Sequence, residues 1–101
     1  MCTTFFKIYK SNSKGLRFVV AFNRDEDPNR KSKMLGWHPD FANILCGIDV
    51  QTGTSWLAIN ISTGDFAMLT NNRIVKADEK QAYTSRGNLI MEFVKIRDET
   101  I

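Results

Sequence analysis

The residue whose type and place could do chemistry in this chain is Cys2, next to the initiator Met1. Removal of Met1 would leave the Cys2 thiol beside its own free α-amino group. A thiol of reference pKa about 8.5 next to an amine of about 7.7–8 is a nucleophile carrying its own base near neutral pH. Such a pair can attack an amide carbonyl and shuttle the proton. The plainer reading makes Cys2 an ordinary small residue at the start of a strand, because environment rather than position makes a thiol reactive. Retention of Met1 would remove the amine and with it the hydrolytic chemistry.

The elements that must position Cys2 read mostly as strands. Residues 3–9 and 16–23 are rich in β-branched and aromatic side chains, and the cluster Ser11-Asn12-Ser13-Lys14-Gly15 between them is turn-forming. A hairpin places the start of its first strand beside the end of its second. Cys2 is therefore expected near Asn23, just short of Arg24-Asp25. Residues 24–43 read as a polar loop carrying Pro28, Gly36 and Pro39, pinned to the domain by Trp37 and Phe41. Strands are expected over 44–49, 55–60 and 65–70, with turns at Gln51-Thr52-Gly53 and Ser62-Thr63-Gly64. The short gaps make these antiparallel neighbours. Ser85 is the expected N-cap of a final helix, with Leu89, Ile90, Phe93 and Val94 on one face. Arg86 at that helix start opposes the dipole.

The expected fold class is α+β: one antiparallel sheet of about five strands with a C-terminal helix, in a single domain over 1–101. Adjacent apolar pairs such as Phe5-Phe6 and Val19-Val20 imply that both sheet faces are covered. One helix covers only part of one face. A further layer is thus expected from a missing half of the domain, a protein partner or another copy of the chain.

Composition sets the class. With 43% hydrophobic and 25% charged residues in 101, the chain reads as globular and soluble. The net charge is only +3, and the basic run Arg24, Arg30, Lys31 and Lys33 has no aromatic interleaving, which points away from nucleic acid. Two cysteines, Cys2 and Cys46, form neither a disulfide framework nor a metal-ligand set, so no metal is expected. Cys46 reads as a buried filler, and Met34 and Met91 as core or loop residues. The first ten residues lack the charged leader and apolar stretch of a secretory signal. No run is long enough to span a membrane. A reducing compartment such as the cytoplasm is the resulting expectation, and the sequon Asn60-Ile61-Ser62 reads as chance.

Four blocks then act together: Met1-Cys2-Thr3-Thr4; Ala21-Phe22-Asn23-Arg24-Asp25-Glu26; Asn43-Ile44-Leu45-Cys46-Gly47-Ile48-Asp49 followed by Gly53-Thr54-Ser55-Trp56-Leu57; and Leu69-Thr70-Asn71-Asn72-Arg73 with Ser85-Arg86-Gly87. In this order and spacing they resemble the NRDE family, also called the transport and Golgi organisation protein 2 family. The resemblance runs over nearly the whole chain. It implies only the N-terminal portion of a longer family domain, and the first half of an αββα sandwich similar to the N-terminal nucleophile hydrolases. Two motifs depart: Gly47-Ile48-Asp49 where the family usually has Gly-Arg-Asp, and Gly53-Thr54-Ser55-Trp56-Leu57-Ala58 where it has Gly-Gly-Thr-Trp-Leu-Gly.

The function implied is an intracellular factor in haem, lipid or acyl-CoA-linked trafficking or homeostasis, with haem as cargo rather than resident cofactor and links to mitochondria. Its ligand would be a small molecule, and His38, the lone histidine, is a weak candidate haem ligand. The alternative is a cysteine amidohydrolase. There the resemblance makes Cys2 the nucleophile, Arg24 the group that favours its thiolate, Asp25 the orienter of the α-amine and Asn71 the oxyanion donor. A third reading is a structural subunit that depends on a partner.

Overall fold

The computed structural model describes residues 2–11, 14–15, 17–70 and 85–95. Six strands and one helix follow in the order β1 (Thr3–Ile8), β2 (Phe18–Asn23), β3 (Ser32–Trp37), β4 (Ile44–Asp49), β5 (Leu57–Asn60), β6 (Phe66–Met68) and α1 (Gly87–Lys95). The class is α+β, as the sequence indicates. The strands, however, divide into two antiparallel sheets rather than one: the β1–β2 hairpin, and a four-stranded sheet ordered β3-β4-β5-β6.

The extra strand is β3, inside the segment read as a loop. Its residues, Ser-Lys-Met-Leu-Gly-Trp, lack the β-branched run that marks a strand. Pairing with β4 makes it one, and the register shifts between Lys33 and Gly36, so that Met34 and Leu35 together oppose Gly47. Trp37 does not pin this segment, since 59% of its surface is exposed.

The core lies on one side of the larger sheet. Ile44 and Cys46 of β4 and Ala58 of β5 meet Ile90, Met91 and Val94 of α1, and these six are the buried apolar residues among those described. Register explains the set: Cys46 pairs with Ala58 and Ala58 with Ala67, so all three share a face. The helix turns a slightly different side inward than its periodicity suggests. Met91 is buried, whereas Leu89 and Phe93 remain 66% and 51% exposed. Ser85 caps the helix as expected, its Oγ accepting from Gly87 N–H at 3.3 Å.

The hairpin covers part of the opposite face. Phe18 of β2 meets Phe66 of β6 edge-on, with ring centroids 5.8 Å apart, and Thr4 of β1 donates to Met68 Sδ. This second layer is thin: among the described residues no side chain of the hairpin is fully buried, and Phe6 and Ile8 remain exposed. The molecule is therefore helix on sheet on hairpin, sealed on the helix side and half open on the other.

The two turns that follow β4 and β5 repeat one design. Asp49 N–H donates to Thr54 O, and Asn60 N–H to Asp65 O, each at 2.8 Å. The Asp49 and Asn60 side chains accept from the N–H groups of Gln51 and Ser62, both at 2.9 Å. Gly53 and Gly64, at φ +69° and +80°, close the turns in the left-handed region that favours glycine. Each Asx side chain then does a second task. The Asn60 amide donates to the carbonyl of Val94 near the end of α1 at 2.9 Å. Asn60→Ala would orphan that buried carbonyl and lose the turn, for an expected cost of about 2 kcal/mol, read as a lower urea midpoint with unchanged slope.

Candidate functional site: the rim that joins the two layers

Cys2 lies one residue beyond the Thr3–Asn23 pair, so continuing the register sets it opposite Arg24. The thiol and the basic-acidic corner after β2 therefore share one rim of the hairpin, as the sequence predicts. Cys2 is half-buried there. Asp25 is at the surface of the same corner. Asn71 lies outside the described residues.

The structure adds a partner that the sequence reading did not assign. Arg24 Nη2 donates to Asp49 Oδ2 at 2.8 Å, and Arg30 Nε donates to the same oxygen at 2.7 Å. The Asp49 side chain is 7% accessible and that of Arg24 12%, so this is an ion pair largely removed from water. The Arg24 guanidinium also lies over the Trp56 ring, 4.4 Å from its centroid. Stacking on a flat indole face suits a planar, weakly hydrated cation. One clasp thus ties the end of β2 to β4 and to the residue before β5.

Gly47 completes it. A Cβ there would sit 2.7 Å from Trp56 Cη2, so only glycine lets the indole lie flat against β4. Glycine recurs for the same reason at Gly87, where a Cβ would fall 2.7 Å from the Ser55 carbonyl oxygen and against the Thr54 side chain. Ser85 Oγ and Thr54 Oγ1 share a hydrogen bond at 3.1 Å in that contact. The signal for Asp49, Gly47 and Trp56 was visible in the mid-chain block, but nothing in one sequence says that these residues meet Arg24.

Electrostatically, the rim holds two guanidinium groups against one carboxylate. Asp25, Glu26 and Asp27 stand in the same corner, so the clasp is one part of a rim of mixed charge. The partly exposed Arg30 guanidinium can meet an acidic group brought alongside. Arg24 is engaged by Asp49.

His38 is placed elsewhere. It follows Trp37, whose partner is Leu45, while Asp49 pairs with Ser32 at the opposite end of β3. His38 Nδ1 accepts from Asp40 N–H at 3.0 Å, and its ring packs on Phe41. The structure does not bring it to the Cys2 rim. Among the described residues no group of three or more His, Cys, Asp or Glu is arranged to hold a metal ion. Among them, too, no helix is long and apolar enough to cross a membrane.

A profile of the Transport and Golgi organisation 2 family matches residues 1–100. The chain belongs to that family. It is 31% identical over 99 residues to the Transport and Golgi organization 2 homolog of Mus musculus, and 32% identical over 99 residues to the Transport and Golgi organization protein 2 homolog of Homo sapiens. Each alignment covers 93% of this chain and 35% of the relative, so the chain spans about a third of the length of the curated relatives it matches. No solved structure matches it. In this member of the family, the blocks around Arg24, Gly47–Asp49, Trp56 and Gly87 are the residues that clamp hairpin, sheet and helix together.

The two thiols differ in setting. Cys46 is buried in the core, and burial pushes its thiol above its ordinary value of 9.0. The folded state then holds this proton more tightly than the unfolded chain does. Stability from the group is intact below pH 9 and is lost as pH rises through the folded value. Iodoacetamide at neutral pH is expected to add one adduct, on Cys2, and a second only after unfolding. Intact-mass spectra of native and urea-treated protein read this directly; prompt double labelling of native protein would contradict it.

Proposed function

We propose that this chain serves intracellular trafficking or homeostasis of a small apolar cargo that carries an acidic group. Haem, with its two propionates, is the leading candidate, and lipid-linked acyl groups come next. The observation that supports this reading is the partly exposed Arg30 guanidinium at the rim together with the half-open apolar layer of Phe6, Phe18 and Phe66. An amphiphile could lay its apolar body along that layer and set its carboxylate at the rim. The family's name, Transport and Golgi organisation 2, is compatible with a trafficking role. The test is titration of the purified chain with haem, followed by the Soret band. Saturable 1:1 binding is expected, weakened about tenfold, or about 1.4 kcal/mol, by Arg30→Gln. Non-saturable uptake by folded protein, unchanged in Arg30→Gln, would remove the reading.

A second reading has its own support in the register that sets Cys2 opposite Arg24. It is a Cys-dependent amide hydrolase, with Cys2 as nucleophile after loss of Met1, its α-amine as base and Asp25 orienting that amine. Asn71 would donate to the oxyanion. An acylating amide probe should then label Cys2, with labelling abolished in Cys2→Ala and kept in Cys46→Ala. An intact mass that retains Met1 would end this reading, because the amine would be blocked in the peptide bond.

A further inference from the structure

The guanidinium of Arg30 is only partly engaged by the clasp. Its Nε donates to Asp49 Oδ2 at 2.7 Å, while its Nη groups make no hydrogen bond among the described residues. The side chain is 33% accessible. A guanidinium carries several N–H donors in a fixed fork, so anchoring it through Nε presents the rest as a rigid receptor for an anion.

Register sets a hydroxyl beside that fork. Ser32, exposed at the start of β3, pairs with Asp49. Val50 N–H donates to Lys31 O at 3.0 Å, so the adjoining Ser32–Asp49 pair is the close kind, with no main-chain bonds between its two residues. Side chains in such a pair stand on one face, with Cβ atoms about 4.5–5.5 Å apart. Ser32 thus lies next to the carboxylate that holds Arg24 and Arg30.

The flanking sequence is Asn29-Arg30-Lys31-Ser32-Lys33. Of the serines and threonines in the chain, Ser32 alone follows directly on two basic residues. Kinases select their acceptor hydroxyls by the charge pattern around them. Access is open as well: among the described residues β3 pairs only with β4, so its outer edge is free for an enzyme that holds its substrate extended.

We infer that Ser32 is a phosphorylation site for a basic-directed protein kinase, and that Arg30 receives the phosphate. Ser32 Oγ attacks the γ-phosphorus of ATP. The Oγ–P bond forms as the bond to the bridging oxygen breaks, ADP leaves, and the hydroxyl proton passes to the kinase's catalytic carboxylate. The product carries a charge of about −1.5 to −2 and acceptor oxygens that suit the Nη fork. Asp49 stays on Nε, so one guanidinium bridges carboxylate and phosphate. Arg30 decides whether the phosphate is tolerated, because Asp49 beside it and Asp25, Glu26 and Asp27 in the nearby corner all repel it. Once held, the phosphate occupies the donors that any other acidic group at the rim would meet. The inference stands on this geometry, whatever cargo the rim holds.

The test has two arms. Folded chain is incubated with magnesium, ATP and the catalytic subunit of cyclic-AMP-dependent protein kinase, and the product is mapped by tandem mass spectrometry. A single phosphate on Ser32 is expected, added at least fivefold more slowly in Lys31→Gln, an exposed position outside the clasp. Phosphate elsewhere with Ser32 unmodified, no phosphate at all, or phosphate on Ser32 only in urea overturns the site. In the second arm Ser32→phosphoserine is encoded genetically, in the parent and in Arg30→Gln, and urea unfolding compares each with its serine form. The folded-to-unfolded ratio is expected to change less than threefold in the parent and to fall at least tenfold in Arg30→Gln. A phosphoserine chain that folds only with Arg30 in place is the extreme of the same result. A change of equal size in both backgrounds, or a larger fall in the parent, overturns Arg30 as the receptor.

Discussion

Asp49→Ala is expected to lower the unfolding free energy by about 3–5 kcal/mol, the usual cost of removing one partner of a buried ion pair. The size follows from what is left behind. Arg24 would keep its charge in a setting where its side chain is 12% accessible, without the Asp49 carboxylate that it now meets at 2.8 Å. The Gln51 N–H would lose its acceptor, and the turn after β4 would lose its Asx anchor. For a domain of this size such a loss shifts Tm down by more than about 12 °C. The hairpin should loosen first, since the clasp is its main polar tie to the larger sheet, and Trp56 emission should move to the red as Arg24 leaves its ring. Arg30→Gln is the control. Arg30 is 33% accessible, and breaking a partly exposed pair costs at most about 1 kcal/mol. Equal losses in the two variants would show that the Asp49 carboxylate is not the buried centre of the clasp.

Gly87→Ala should cost about 3 kcal/mol through overpacking rather than lost charge. The added methyl would meet the Ser55 carbonyl oxygen at 2.7 Å, and backbone cannot turn aside as a flexible side chain can. Relief requires the first turn of α1 to lift from the β4–β5 connection, breaking the Ser85–Thr54 contact. That helix carries Ile90, Met91 and Val94, half of the buried apolar set, so lifting it opens the core. Alanine ordinarily strengthens a helix by about 1 kcal/mol over glycine, which makes the sign diagnostic. Urea unfolding followed by circular dichroism reads it; a Gly87→Ala protein as stable as the parent would refute the close approach.

The hairpin was legible because β1 and β2 carry strong strand formers around a turn cluster, and any hairpin joining them sets Cys2 near Asn23 even with the register open by a residue or two. The turns at Gly53 and Gly64 were legible for a similarly local reason, as only a left-handed position demands glycine there. β3 was not, because Lys33, Met34 and Gly36 have no strand preference of their own and are held extended by β4. The division into two sheets was hidden too. Apolar pairs such as Phe5-Phe6 signal two covered faces but do not say which element covers them. At the rim, Cys2 and Arg24 could be brought together from sequence because one hairpin joins them. Asp49 could not, since its meeting with Arg24 spans 25 positions and rests on how the layers cross. The inward side of α1 was misjudged by about one residue because Leu89, Met91 and Phe93 are all apolar, and contact with β5 and β6 decides which of them turns inward.

The account rests on the rim where the thiol-bearing end of β1, the arginine after β2 and the indole before β5 converge. Nuclear Overhauser spectroscopy on the folded chain tests this most directly. Cross-peaks from the Cys2 Hβ protons to the Arg24 side chain are predicted, together with contacts from the Trp56 ring to Arg24 Hδ, shifted upfield by the indole current at 4.4 Å. Arg24 Hδ at random-coil shifts, with neither set of cross-peaks present, would contradict it.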